Sequence, residues 1–501
     1  MWRPLSTVSS LREMEGGAAP FFKNDPKAHS FPAVAGIALL GTLCGLVVAF
    51  TGLDALYLCG SLIGCAVILY DFRIGVVLLI LLAPISGSQV FPHAMLGVTG
   101  LNPLNLLLAG TFASYLLHGV FDGSMRRFLP SPLLWLYCVP ILIAGALGSR
   151  HVGDIVPGFF TDKVLDFNDA IGYIRDLVVK PLLTVVFALL VGAAVAKSEK
   201  PEKFLIPTVI SIWVMGAMVI VFVYSWGIGL GELASSTERE FLTPLGIHAN
   251  ELGRLYAVAY ALLLFTWAES EQLWLKAVLL ASMVLVVVAL ALTFSRSAFF
   301  DLVLINLLFV LWRRNVRALV FLAVLAVIAL FALPDAIYQR STAGFGQGLD
   351  AISAGRIQGL WLPLLPEVAR SPIYGSGLGS ILWSEAMHKW GGVTMLATTH
   401  PHNAYLQALL DMGIVGLVLL CAYFVHVWRG FRALSVSPDL TPTLRGFYLG
   451  AAAGLVGFLI AAVADGSLAP RPEQAFLWLA IGMMYGQRSK TGDAAVAERR
   501  R

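Results

Sequence analysis

Apolar runs of about 20 residues recur along this chain, beginning near Phe31 and ending near Tyr485. A run of that length is what an α-helix needs to cross the hydrocarbon core of a bilayer. Membrane β-barrels instead alternate apolar and polar residues in segments of about ten, whereas these runs are continuous. Only 13% of the residues are charged, against about 25% in a soluble domain. The pattern therefore predicts an all-α, polytopic helical membrane protein.

We predict about fourteen transmembrane helices, arranged around one long polar interval. A polar N-terminal tail covers residues 1–30, helices 1–11 occupy 31–333, a large external loop occupies 334–403, helices 12–14 occupy 404–486, and a C-terminal tail covers 487–501. The individual spans are predicted at 31–51, 54–70, 75–91, 103–120, 133–148, 177–196, 204–226, 251–268, 274–294, 297–312, 317–333, 404–428, 446–464 and 473–486.

The placement of Lys and Arg predicts which side of the membrane each loop faces. Positive residues concentrate in cytoplasmic loops, and most of the 34 Lys and Arg in this chain fall in alternate connections, such as Arg126-Arg127 and Arg313-Arg314. Both termini are therefore predicted to be cytoplasmic. The first 30 residues are polar, so we expect no cleavable signal peptide.

Arginine predominates among the basic residues that fall on the external side. Its planar guanidinium suits bidentate binding of phosphate. Arg175 lies at the mouth of the sixth span, Arg296 lies in the very short connection Thr293-Phe-Ser-Arg-Ser297, and Arg356 lies in the large loop. We expect a phosphate-bearing ligand at this face. A snorkelling anchor is the alternative for Arg175, and hairpin capping for the Arg296 connection.

Polar side chains also enter one apolar run at its external end. Asn250, Glu251 and Arg254 fall within about one helical turn. Residues at positions i and i+3 share a helix face, so Glu251 and Arg254 are expected to pair. Ionisable residues inside a span face a cavity or a partner, and a functional and a structural role are both open here.

The middle of the large loop predicts a helix that lies on the membrane surface. Residues 355–370 have an amphipathic pattern, with Arg356 and Arg370 near the two ends. Proline removes a helical hydrogen bond, so a break is expected near Pro363 and Pro366. The glycine-rich stretch that follows, Ser371–Gly379, lacks the Gly-Lys-Ser/Thr of a nucleotide-binding loop and predicts a tight turn.

Two histidines close the large loop in the sequence His400-Pro-His402-Asn403. Their spacing is not the i, i+4 arrangement that binds zinc on one helical face, and no acidic or cysteine ligand adjoins them. No Asp-x-Asp occurs in the chain, which disfavours a metal-bound nucleotide sugar. Histidine suits general base catalysis near neutral pH. The sequence therefore predicts a base and neither a metal site nor a cofactor.

The order of these motifs resembles the O-antigen ligase and O-antigen polymerase superfamily of bacterial membrane glycosyltransferases. The motif-bearing part runs from about His248 to Leu417. The matching elements, in chain order, are Thr-Phe-Ser-Arg-Ser (293–297), Gly-Arg (355–356) with Trp361, Ser-Pro-x-x-Gly-x-Gly-x-Gly (371–379), and His-x-His-Asn-x-x-Leu (400–406) with Gly413 and Gly416.

The resemblance implies a metal-independent glycan transfer in the bacterial inner membrane. The large loop 334–403 would be periplasmic, and the donor would be a glycan on an undecaprenyl-diphosphate carrier. The acceptor would be a glycolipid in a ligase, a second carrier-linked repeat in a polymerase, or a protein hydroxyl in the related oligosaccharyltransferases. The lipid bilayer is the other implied partner, and no nucleic acid is expected.

The same resemblance implies a role for each matched residue. His402 would deprotonate the acceptor hydroxyl, with His400 as the alternate base. Arg296 and Arg356 would hold the diphosphate, with Arg175 as a third ligand. Asn403 would cap the following helix or orient the histidine.

Two other function classes remain open on sequence alone. A small-anion, bicarbonate-type transporter would need ionisable residues midway along its spans, whereas the charges here cluster near the external surface. A flippase for the lipid-linked glycan would need a charged cavity open to both faces. The sequence favours the enzyme, and it does not choose between ligase, polymerase and protein oligosaccharyltransferase, with O-antigen or exopolysaccharide as product.

Overall fold

The computed structural model describes residues 41, 42, 45, 52–89, 91–121, 129–161, 165, 167–227, 242, 245–314, 320, 342, 344, 346–389, 398–464 and 466–499. Within them the regular secondary structure is helical apart from one small antiparallel hairpin, in which Ala94 pairs with Thr99. This confirms the predicted all-α fold.

The longer helices are numbered in chain order. They are α1 (Leu53–Tyr70), α2 (Phe72–Leu82), α3 (Pro103–Phe121), α4 (Ser131–Asp154), α5 (Ala170–Lys197), α6 (Leu205–Trp226), α7 (Ala249–Glu269), α8 (Leu273–Ala291), α9 (Arg296–Arg313), α10 (Leu362–Arg370), α11 (Ala404–Ser435), α12 (Pro442–Ala461) and α13 (Ala475–Arg499). The strands are β1 (Ala94–Met95) and β2 (Val98–Thr99), and the shorter helical segments outside α4 and α5 are Ile85–Gly87, Gly158–Thr161, Pro201–Phe204, Leu349–Ile352, Ile357–Trp361, Ser380–Trp383, Glu385–Lys389 and Pro472–Gln474.

Helices of membrane-spanning length and apolarity recur through the described residues. There are seven: Leu53–Tyr70, Ser131–Asp154, Ala170–Lys197, Pro201–Ser225, Leu273–Ala291, Ala404–Ser435 and Pro442–Ala461. The chain is therefore a multi-pass membrane protein. The count of fourteen stays a prediction, because most residues of the predicted spans 31–51 and 317–333 lie outside the described part. The boundaries of the tails and of the large loop, much of which is also outside it, stay predictions as well.

One predicted span is shorter in the structure, and one continues further. The helix expected at 75–91 is α2, which has 11 residues and a length of roughly 16 Å, about half of a bilayer core. Pro84 follows its end, and proline is unfavourable inside a helix. At the other end of the chain, α13 is helical to Arg499 and includes most of the segment predicted as a tail.

Three helical stretches contain a wider, π-helical turn just before a proline. Proline lacks an N–H, and its ring clashes with the carbonyl four residues earlier, so the wider turn accommodates the ring without ending the helix. The turns are Leu134–Cys138, Arg175–Val179 and Ile357–Trp361, and they precede Pro140, Pro181 and Pro363.

The predicted break in the helix of the large loop is therefore wrong. The helix continues from the π-helical turn Ile357–Trp361 into α10, and Pro366 lies inside it. The turn at Ile357 accommodates Pro363, which occupies the second position of α10.

Helix α7 and helix α12 form a tightly packed pair at the centre of the bundle. A Cβ atom at Gly446 would lie 2.5 Å from the Phe265 carbonyl oxygen, and one at Gly450 would lie 2.5 Å from that of Ala261. Small residues at such positions let membrane helices approach closely. The pair brings the start of α7, with Asn250 and Arg254, to the same end of the bundle as the end of α12.

Candidate active site

Residues 398–403 form a short loop that leads into α11. Asn403 is the N-cap residue of α11, and its Oδ1 accepts hydrogen bonds from the backbone N–H groups of Tyr405 (3.1 Å) and Leu406 (3.0 Å). His402, just before it, has a φ of 50°. That left-handed conformation costs a residue with a side chain roughly 1–2 kcal/mol. Such strain persists where the surrounding contacts fix the backbone, often at functional sites.

The two imidazole rings of the loop lie against each other. The ring centroids of His400 and His402 are 4.2 Å apart, with 58° between the planes. Thr398 donates its hydroxyl proton to the His400 carbonyl at 2.9 Å, and the same oxygen lies 3.4 Å from His402 Nε2. This contact places the Thr398 hydroxyl beside the His402 ring.

Arg356 and the histidine loop are both attached to the end of α12. Arg356 donates a hydrogen bond from Nη1 to the carbonyl oxygen of Ala464. The backbone N–H of Ala404, the first residue after the loop, donates to the carbonyl oxygen of Ala462 at 2.8 Å. Ala462 is the C-cap of α12. The structure thus brings Arg356 and His402 to one short segment, Ala462–Ala464.

Arg296 is the first residue of α9, and its position is set by contacts with α7. Ser295, the N-cap, donates from its hydroxyl to Asn250 Oδ1 at 2.9 Å. A Cβ atom at Gly253 of α7 would lie 2.6 Å from the Ala298 side chain, so the two helix starts nearly touch. Arg296 therefore lies at the same end of the bundle as Arg356 and His402.

A buried charge cluster joins α7 to the connection between α12 and α13. Arg254 Nη2 lies 3.8 Å from Glu473 Oε1, with side-chain exposures of 4% and 8%. Arg471 Nη1 lies 3.5 Å from Glu251 Oε1 and 3.8 Å from Glu473 Oε1. The guanidinium groups of Arg254 and Arg471 thus connect the two elements. Glu251 and Arg254, which the i, i+3 spacing predicted to pair with each other, each contact a residue of that connection.

The charges and the burial of this cluster have opposing effects on the pKa of Glu473. Burial, together with the neighbouring Glu251 carboxylate, raises the pKa of Glu473, while Arg471 and Arg254 act against that rise. A buried carboxylate is stable only when it is paired. The cluster holds the 471–473 segment against α7. Gly466, earlier in the same connection, also approaches Arg254 closely, because a Cβ atom there would lie 3.1 Å from the guanidinium.

Arg175 lies in a cavity of about 760 Å³ that Lys180 also lines. Arg175 Nη2 is 2.8 Å from Asp176 Oδ2, and Lys180 Nζ is 2.5 Å from Asp176 Oδ1. His93, Asn102 and Asn105 contribute further polar groups to the wall, which also includes Pro472. The contacts therefore place Arg175 in a cavity beside the 471–473 segment, and they do not place it on the Ala462–Ala464 segment that Arg356 and the histidine loop share.

The glycine-rich stretch Ser371–Gly379 packs against α11 where that helix is kinked, at Gly413. The backbone N–H of Gly377 donates to the Asp411 carbonyl at 3.0 Å, and Ser380 donates from its N–H and its hydroxyl to Asp411 Oδ1 at 3.1 and 2.9 Å. A Cβ atom at Gly375 would lie 2.3 Å from the Met412 nitrogen. These glycines allow close packing, in line with the predicted tight turn.

A comparison with known families finds a match over part of the chain. Residues 281–421 match the family model described as O-antigen ligase. The matched segment contains Arg296, Arg356, His400, His402 and Asn403, so the resemblance noted on the sequence motifs is confirmed. No curated protein matches the chain significantly.

The O-antigen ligase match supports a membrane glycosyltransferase of the ligase or polymerase type. This family implies lipid-linked glycan substrates in a lipid bilayer. Arg175 and the segment after α12 lie outside the matched residues. Among the described residues, no three or more His, Cys, Asp or Glu side chains are grouped so that they could hold a metal ion.

Several buried or paired ionisable residues in and around the candidate site received no role from the sequence motifs. Asp411 and Asp301 are buried, with 3% and 1% exposure, and Glu473 and Arg471 belong to the charge cluster. An ionisable residue within an apolar run was the available signal. The carbonyl groups of Ala462 and Ala464 carry no such signal, since any residue type supplies one.

Proposed function

We propose that this protein transfers a glycan from an undecaprenyl-diphosphate carrier to a hydroxyl acceptor at the periplasmic face of the bacterial inner membrane. The protein has both termini in the cytoplasm, and the transfer requires no metal ion and no cofactor. The observation that carries the proposal is the shared attachment of Arg356 and the His402 loop to residues Ala462–Ala464, because it supports a cation and a base acting at one site.

The base is His402, with His400 beside it as the alternate. The acceptor hydroxyl gives its proton to the imidazole as its oxygen attacks the anomeric carbon of the donor sugar. The bond from that carbon to the diphosphate oxygen breaks, and undecaprenyl diphosphate leaves with the bonding electrons. The His402 imidazolium then loses the proton to water, so the atoms and charges balance. Thr398 lies against the imidazole, and the N-cap Asn403 fixes the start of the helix that follows it.

The arginines stabilise the charge that develops on the leaving group. Arg296 and Arg356 bind the diphosphate through their guanidinium groups, which match phosphate oxygens in pairs. Fixed donors of this kind lower a barrier because they need no reorganisation during the reaction. Arg175, together with Lys180, binds the carrier from the neighbouring cavity. The polyprenyl chain lies in the bilayer, and the sugars remain in water.

The acceptor is a glycolipid or a second carrier-linked repeat. The surface glycans of a deletion strain test both the function and this choice. Caps of a single repeat unit would identify a polymerase, and an accumulation of long carrier-linked chains would identify a ligase. Unchanged glycans together with altered bicarbonate uptake would refute the proposal and support the transporter alternative.

A further inference from the structure

A second cavity, of about 590 Å³, lies at the opposite end of the bundle from His402. Its volume falls in the range of small-molecule sites, roughly 300–1,000 Å³. Helix α7 runs from Asn250 at the candidate active site to Thr266 beside this cavity. Thr266 follows Asn250 by 16 positions in that helix, so the two sites are separated by roughly 24 Å along its axis.

The cavity opens sideways between helices α6 and α8. Its inner wall consists of buried apolar side chains, among them Leu262, Leu263 and Leu279. Its outer edge includes Ile210 and Trp274, which are 48% and 65% exposed. Both helices have the length and apolarity of membrane spans, so an opening between them faces the hydrocarbon of the bilayer. A lipid acyl chain can enter by this route without crossing water.

Charged side chains lie at one end of the cavity. Glu202, Lys203 and Glu271 line it together with Gln272. Glu269, close by in sequence, is paired with Arg313 at 2.9 Å. By contrast, Glu202, Lys203 and Glu271 make no ion pair or side-chain hydrogen bond with any residue in the described part of the chain. A group of unpaired charges next to an apolar cavity suits an amphipathic ligand.

The signs of these charges select among lipid headgroups. The rim carries two carboxylates and one ammonium. An anionic headgroup such as that of phosphatidylglycerol carries a phosphate and no cation, so it would meet more negative than positive charge. A zwitterionic headgroup with a primary ammonium offers a partner to each side chain. We infer that this cavity is a binding site for an aminophospholipid, with one acyl chain inside, the phosphate on Lys203, and the ammonium on Glu202 and Glu271.

Occupancy of this site stabilises the helix pair that supports the candidate active site. Phe447 of α12 and Leu263 of α7 both line the cavity, and the opposite ends of these helices carry the Ala462–Ala464 segment and Arg254. A ligand that binds only the folded state shifts the folding equilibrium toward it. The inference does not rest on glycan transfer, since it uses only the cavity and its rim.

The test uses the full-length protein purified in detergent, with phosphatidylethanolamine or phosphatidylglycerol of identical acyl chains added. Native mass spectrometry measures the lipid that stays bound, and thermal unfolding measures stabilisation. We expect one phosphatidylethanolamine to be retained, and a larger rise in melting temperature with it than with phosphatidylglycerol. The double variant Glu202→Gln/Glu271→Gln is expected to retain about tenfold less of it, as for the loss of a hydrogen bond to a charged group.

A matched pair of variants compares a bulky side chain at the mouth of the cavity with the same side chain elsewhere on α6. Ile210→Trp blocks the opening, whereas Val221→Trp places the same side chain in the same helix at a position that is 62% exposed and does not line the cavity. Lipid retention should fall only with Ile210→Trp. Equal retention by both variants, equal effects of the two lipids, or no retained phospholipid would each overturn the inference, and none of these results bears on glycan transfer.

Discussion

Trp361 donates a hydrogen bond from its indole N–H to the carbonyl oxygen of Pro401, at 2.8 Å. This contact joins the π-helical turn that follows Arg356 to the loop that carries His402. The two candidate functional side chains are therefore linked twice, once through Trp361 and once through the Ala462–Ala464 segment. A loop held in this way can keep His402 in its left-handed conformation.

Replacing Trp361 by Phe is expected to slow glycan transfer without unfolding the protein. The aromatic ring is retained and only the hydrogen bond is lost, which corresponds to about 0.5–1.5 kcal/mol, or a roughly two- to tenfold lower rate if the contact positions His402. The rate of transfer by purified protein measures the effect.

The control for that variant is Trp383→Phe. Trp383 stacks on His151, with 5.4 Å between ring centroids, and the smaller ring preserves an aromatic surface there. Its rate should match that of the wild type. Equal losses in the two variants would indicate a general loosening of the loops and would remove the special role of Trp361.

The helical fold and most of the proposed site follow from local patterns in the sequence. Arg296 and Arg356 were predicted because arginine predominates among the basic residues of the external side and suits phosphate. The role of Asn403 as a cap or as a partner of the histidine came from the resemblance of its motif to the family. Each of these signals lies within a few residues of the side chain concerned.

The remaining features depend on contacts between distant parts of the chain. The pairing of Arg254 with Glu473 joins residues far apart in sequence, whereas sequence spacing pointed only to a neighbour, Glu251. The attachment of Arg356 to Ala464 uses a backbone carbonyl, which any residue type provides. The continuous helix through Pro363 depended on a π-helical turn, and no residue type in Ile357–Trp361 distinguishes that turn from an α-helical one.

Substitutions at His402 can separate its chemical role from its backbone conformation. His402→Ala and His402→Gly both remove the imidazole, so both should abolish glycan transfer. Glycine adopts a positive φ without strain, so His402→Gly should be more stable than His402→Ala by about 1 kcal/mol. Thermal unfolding of the two purified variants gives the comparison. Surface glycan at the wild-type level in a deletion strain complemented with His402→Ala would refute the assignment of the base.

His400 is the alternate base, and its removal distinguishes the two rings. If His402 is the base, His400→Ala should retain measurable transfer, because only the ring that lies 4.2 Å away is lost. If His400→Ala were inactive and His402→Ala active, His400 would be the base instead of His402.

Lysine should not replace arginine at positions 296 and 356. Arg296→Lys and Arg356→Lys keep the charge and lose the planar, two-pronged donor, and the loss of one such donor to a developing anion lowers rates by about a hundredfold or more. Transfer rates of the two variants measure this. Arg370→Lys serves as the control, because Arg370 is 54% exposed and pairs with Glu367 at 3.0 Å. Wild-type rates for lysine at both 296 and 356 would contradict the role in diphosphate binding.

Gly413 is expected to tolerate no side chain, for a reason that can be separated from backbone strain. Its φ is 63°, and a Cβ atom would lie 2.3 Å from the Ile373 carbonyl oxygen. Gly346 has a φ of 82° but open space around the same position. Gly346→Ala should therefore cost about 1 kcal/mol of stability from strain alone, and Gly413→Ala about 3 kcal/mol, because the glycine-rich stretch must also move away from the kink in α11. Thermal unfolding in detergent compares the two, and equal losses would mean that the packing of Ser371–Gly379 on α11 contributes nothing.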